Sequence, residues 1–101
     1  MNKSEKDLKE VVAVIDRHTK TMRHIRDRLV AIVVRTAKAR IENDIAGVRL
    51  YTAQAREVLR IKCILGGLDF ECESEAYSLL VESQCNFFRA LQDYKADPDR
   101  S

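Results

Sequence analysis

Residues 8–34 read LKEVVAVIDRHTKTMRHIRDRLVAIVV, and this stretch decides the fold. Its apolar residues step alternately by three and four: Leu8, Val11, Ile15, His18, Met22, Ile25, Leu29, Ile32. Steps of this kind place the side chains on one seam of a single long helix, broken only by the polar His18. At Ala31-Ile32-Val33-Val34 the apolar residues then point in every direction around the axis. A helix that is hydrophobic all round has to be covered on several sides. The expected architecture is therefore all-α: a long N-terminal helix and two shorter ones, an incomplete bundle completed by homodimerisation. Leu8, Val11, Ile15, Met22, Ile25, Leu29, Ile32, Val33 and Val34 are the expected dimer interface.

Outward from this stretch, Ser4 suits an N-cap, and no Gly or Pro follows until Gly47, so the first helix is expected over about residues 5–42. Asn43 tolerates a left-handed conformation and Asp44 can cap a new helix, which puts a corner there. One continuous helix to Leu65 is the competing reading. The second helix is expected over about 45–65, closed by Gly66-Gly67. Leu68-Asp69-Phe70 would form a short apolar connection. A third helix is expected from near Ser74, with a seam of Tyr77, Leu80, Gln84, Phe87, Leu91 and Tyr94 and with Val81, Cys85 and Phe88 alongside. Residues 1–4 and 96–101 read as flexible tails, the latter because of Pro98. The whole forms one domain of 101 residues.

Composition narrows the function classes. Hydrophobic residues make up 46% and charged residues 34%, which fits a folded chain better than a disordered one. No apolar stretch is long enough to span a bilayer and no secretory signal is visible, so a cytoplasmic location is expected. Cys63, Cys72 and Cys85 are odd in number and lack a C-x-x-C pair, so neither a zinc site nor an intramolecular disulfide framework is expected. Cys72 is the candidate for a cross-chain disulfide. His18 and His24 sit about 240° apart round a helix and cannot share a metal. His18 reads first as a histidine at the edge of the core, and otherwise as a device that fixes pairing or senses pH. There is no phosphate-binding glycine loop, no G-x-S-x-G elbow and no clustered acid pair, so no enzyme activity and no cofactor are expected.

Charge is distributed unevenly. Residues 17–62 hold twelve Lys or Arg against four Asp or Glu, and residues 63–101 hold three against eight. Arg17, Lys20, Arg28, Arg35 and Lys38 fall on the side of the first helix opposite the seam. Such a stripe reads first as a solvated face and, as the alternative, as a phosphate-contacting surface for nucleic acid. The preferred reading is a non-enzymatic regulatory or adaptor protein that binds another protein, such as an anti-activator sequestering a transcription factor. Its docking face is expected to include Leu68, Phe70, Phe87, Phe88 and Leu91, next to Ile61, Ile64 and Leu65, because a few aromatic and aliphatic anchors usually carry binding energy.

Overall fold

The computed structural model describes residues 3–96. Three helices account for almost all of them: α1 over Lys3–Ile41, α2 over Ile45–Gly66 and α3 over Phe70–Ala96. There is no strand among the described residues. Lys3, Ser4 and Ala96 belong to helices, so the expected tails are shorter by these residues, and Ser4 lies inside α1 where a cap was expected. Residues 1, 2 and 97–101 of those tails lie outside the described residues.

The corners follow from a few residues. Asn43 takes a left-handed φ of 57°, which asparagine tolerates better than most side chains. Asp44 caps α2, its Oδ1 accepting from the Gly47 N–H at 2.9 Å. A Cβ on Gly47 would strike that carboxylate, so glycine is what lets the cap close. One continuous helix is thereby excluded. At the other end Gly67 is left-handed at φ 63°, and the Gly67 and Leu68 N–H groups both donate to the Cys63 carbonyl, combining the 5→1 bond of an αL stop with the 6→1 bond of a Schellman motif. Asp69 then caps α3 through its Oδ1, which accepts from Glu71 N at 2.8 Å and Cys72 N at 3.3 Å. That cap starts α3 at Phe70, earlier than the expected Ser74, and brings Phe70 and Cys72 into its first turn.

α2 runs back along α1, and α3 runs forward again, parallel to α1. The apolar zone of α1 is shared between them. Ile25, Leu29 and Ile32 pack with Ala55, Val58 and Leu59 of α2, joined by Met22, Tyr51, Phe70 and Tyr77. Val33 and Ala37, a step further round, pack with Val81 and Cys85 of α3, joined by Ile41 and Phe88. The chain itself thus covers two sides of the all-round apolar segment, at Ile32 and Val33. Ile25, Leu29, Ile32 and Val33 are internal core and not available to a second chain; Val34 stays exposed. Ala37, Ala55 and Cys85 are completely buried, and their small size lets the helix axes approach closely.

The seam expected for α3 is corrected in the same way. Tyr77, Val81, Cys85 and Phe88 face the core, whereas Leu80, Phe87, Leu91 and Tyr94 are exposed. Gln84 cannot meet His18, because α1 and α3 are parallel and Gln84 lies level with the Thr36 region. One polar contact locks this face. Thr36 Oγ1 donates to the Ile32 carbonyl at 2.8 Å and lies 2.8 Å from the Tyr77 hydroxyl. A threonine has one hydroxyl proton, so Tyr77 donates to Thr36.

Burial pushes the Tyr77 phenol above its usual 10.0, opposed in part by Thr36, whose hydroxyl can turn from the Ile32 carbonyl to donate to the phenolate. The folded phenol therefore keeps its proton to higher pH than the unfolded one. Its contribution to stability is complete below the unfolded value and fades as pH rises through the folded value. We expect Tyr77→Phe to cost ~0.5–1.5 kcal/mol at neutral pH and to flatten the loss of stability above pH 10. Urea unfolding at neutral and alkaline pH checks both.

Candidate protein-binding faces

α1 is much longer than the part its partners cover. α2 ends against Met22, whose Cε lies 3.3 Å from where a Cβ on Gly66 would be. Residues 3–21 project beyond this point as a helical arm, every one of them exposed. The arm spans roughly 28 Å at 1.5 Å per residue and helps draw the molecule out to 72 × 32 × 19 Å. It carries Leu8, Val11, Val12, Val14 and Ile15, which are 53–64% exposed. These residues prolong the seam that continues into Met22, Ile25 and Leu29 under α2. Within the arm, therefore, the expected interface residues Leu8, Val11 and Ile15 do lie open. His18 is exposed between them and the bundle, outside the core edge expected for it.

A second apolar stripe lies on α3. Val81 and Cys85 point at α1, and Glu71, Ser74, Glu75 and Ser78 line a cleft shared with α2. By helical geometry Leu80, Phe87 and Leu91 then occupy the flank turned away from α2. Val30 and Val34 of α1 lie on the corresponding flank of their own helix, and all five are exposed. Of the docking residues expected from sequence, Phe87, Leu91 and Leu68 are exposed. Phe70 and Phe88 instead pack against the two cores, and the Arg60 guanidinium covers the Phe70 ring at 5.7 Å from its centroid. Leu80 belongs to the seam expected for α3, but Val12, Val14 and Val30 were not singled out from sequence. Their signal was there, as apolar residues directly next to a seam position.

The cleft between α2 and α3 measures about 650 Å³ and is floored by Thr36 and Arg40 of α1. Near the Gly67 turn the two helices are tied together, where Lys62 pairs with Glu73. The Ser74 Oγ is buried beside it without a hydrogen-bond partner. No group of three or more His, Cys, Asp or Glu among the described residues could hold a metal. The three thiols differ sharply: Cys72 is exposed, Cys63 half-buried and Cys85 buried, its Sγ 3.7 Å from the Ala37 carbonyl. Burial, reinforced by the Glu73 carboxylate, pushes the Cys63 thiol up. Arg17, Lys20, Arg28, Arg35 and Lys38 are all exposed on the back of α1. No described helix is long and apolar enough to cross a membrane.

The chain shows no match to a protein-family model, a curated protein or a solved structure.

The two phenylalanines of α3 offer a direct check on these placements. Phe88→Ala should cost up to ~3 kcal/mol, the low end of the range for a core aromatic because Phe88 is half-buried, while Phe87→Ala should stay within ~0.5 kcal/mol of the parent, as for a surface change. Denaturant titrations of the two variants compare them.

Proposed function

We propose that this protein is a non-enzymatic helical regulator or adaptor that self-associates through its arm and binds another protein through the outer flank of α3. An anti-activator that occupies a transcription factor, or blocks its assembly, would work in this way. The observation that supports the reading is the arm itself. Val11, Val12, Val14 and Ile15 are β-branched and favour helix less than straight-chain residues do. A helix of this length has little stability in water without packing on its apolar face. Covering that face would recover ~1.5–3 kcal/mol per fully buried large side chain. Self-association supplies the cover, and the Leu80, Phe87 and Leu91 flank then remains for a target.

Light scattering at tens of micromolar tests the association. We expect a dimer for the parent chain, and a monomer with an intact bundle by circular dichroism for Val11→Asp/Ile15→Asp. A parent chain that stays monomeric over that range overturns the reading.

A second reading rests on the exposed basic face of α1, where Arg17, Lys20, Arg28, Arg35 and Lys38 have no ion-pair partner among the described residues. Basic charge on one face is the footprint of phosphate contact. No aromatic residue lies between positions 17 and 50 to stack on bases. We therefore expect only weak, salt-sensitive association with duplex DNA in fluorescence anisotropy at physiological salt. Nanomolar, sequence-dependent binding that is lost on neutralising Arg17, Arg28 and Arg35 would put the nucleic-acid reading first.

A further inference from the structure

We infer that the arms of two copies pair antiparallel about a two-fold axis at the level of Ala13, with Val11 of each chain against Ile15 of the other and Leu8 against His18. This inference rests on the self-association proposed above and specifies its geometry.

The first argument is the segregation of charge around the arm. In the heptad defined by its seam, Leu8, Ile15 and Met22 take one core position and Ser4, Val11 and His18 the other. The positions flanking the core are Glu5, Val12 and Thr19 on one side and Asp7, Val14 and Thr21 on the other. Lys3, Lys6, Lys9, Glu10, Asp16, Arg17 and Lys20 all fall on the three outward positions. Four of every seven positions through the middle of the arm therefore point inward and are apolar, a wider face than a seam alone. Coiled coils commonly choose partners through charged flanking residues. This arm instead has valines there, and it needs a partner whose flanks are equally apolar.

A second copy in antiparallel register supplies them. Antiparallel pairing brings like flanks together, so Val12 meets Val12 and Val14 meets Val14 at the centre of the pair. Further out, Asp7 faces Thr21 and Glu5 faces Thr19. No two like charges meet across the interface, and each core residue from Leu8 to His18 finds a counterpart.

The second argument is steric. The seam of the arm is continuous with the part of α1 on which α2 and α3 sit, and the turn around Gly66 already abuts Met22. A parallel partner lying in the seam would run on into Ile25, Leu29 and Ile32, which α2 covers. Its own bundle would arrive at the same level on the same face. Antiparallel pairing sends the two bundles to opposite ends and leaves the outer flank of each α3 free.

Disulfide trapping tests the register. In a Cys63→Ser/Cys72→Ser background, with buried Cys85 retained, chains carrying Leu8→Cys and His18→Cys are oxidised separately and as an equimolar mixture. We expect a disulfide-linked species several-fold more abundant in the mixture than with either chain alone. Equal self-linking of each chain overturns the proposal in favour of a parallel pair. As a second measurement on outward positions, spin labels are placed at Ala13→Cys or at Lys20→Cys. In the antiparallel pair the two position-20 labels are offset along the axis by about 21 Å, fourteen residues at 1.5 Å each, and the position-13 labels are not offset. The inter-label distance must therefore be longer at position 20, and equal distances overturn the proposal. A dimer by light scattering that shows neither the mixed disulfide nor the distance difference defeats this register while sparing self-association. A monomer defeats both.

Discussion

The structure depends on how α1 divides its apolar surface. Ile25, Leu29 and Ile32 form one stripe, and Val33 and Ala37 form another a short rotation away. Each stripe accepts one helix. α2 and α3 touch each other less than either touches α1, so both owe their position to α1. Small residues make the arrangement tight: Ala55 lies under the first stripe, and Ala37 meets Cys85 at the second. The hydrogen-bonded chain from Tyr77 through Thr36 to the Ile32 carbonyl fixes the height of α3 along α1, because a buried hydroxyl left without its partner would cost more than a shifted apolar contact.

The same division explains what is left over. α2 runs back only as far as Met22 before Gly67 stops it, and everything in α1 before that residue is deprived of cover. The arm is therefore a consequence of unequal helix lengths joined by tight corners. On α3 two apolar stripes compete for the core, and only one can win. Tyr77, Val81, Cys85 and Phe88 include a small residue that allows close approach and a hydroxyl that reaches Thr36. Leu80, Phe87 and Leu91 offer neither, and they are turned outward.

These two leftovers carry the functional reading. A surface built from exposed valines, leucines and a phenylalanine is suited to other helices. The basic back of α1 borders both apolar faces, with Arg17 one turn from Val14 and Lys38 one turn from Val34. A dimer built on the arms would leave both the basic faces and the α3 flanks accessible on each copy.

What the sequence by itself determined was local. Asn43, Asp44 and Gly47 specify a corner because their preferences for left-handed backbone, capping and small size are properties of those residues wherever they occur. Gly66-Gly67 specifies a stop for the same reason, and the three-and-four stepping from Leu8 to Ile32 specifies one long helix. The apolar face of the arm was legible too, as Leu8, Val11 and Ile15. Asp69 was less visible as a cap, since the acidic residues after it suggested a later start for α3. Only the tertiary structure decided which apolar stripes are internal. Periodicity reports that a face is apolar without saying what covers it, so Ile32 and Val33 read in sequence as an interface between chains although α2 and α3 lie on them. Phe88 and Phe87 are adjacent in sequence and equal in hydrophobicity. Which of them is core depends on the rotation of α3 about its axis, set by contacts with Ala37 and Thr36 some forty to fifty residues away in the chain.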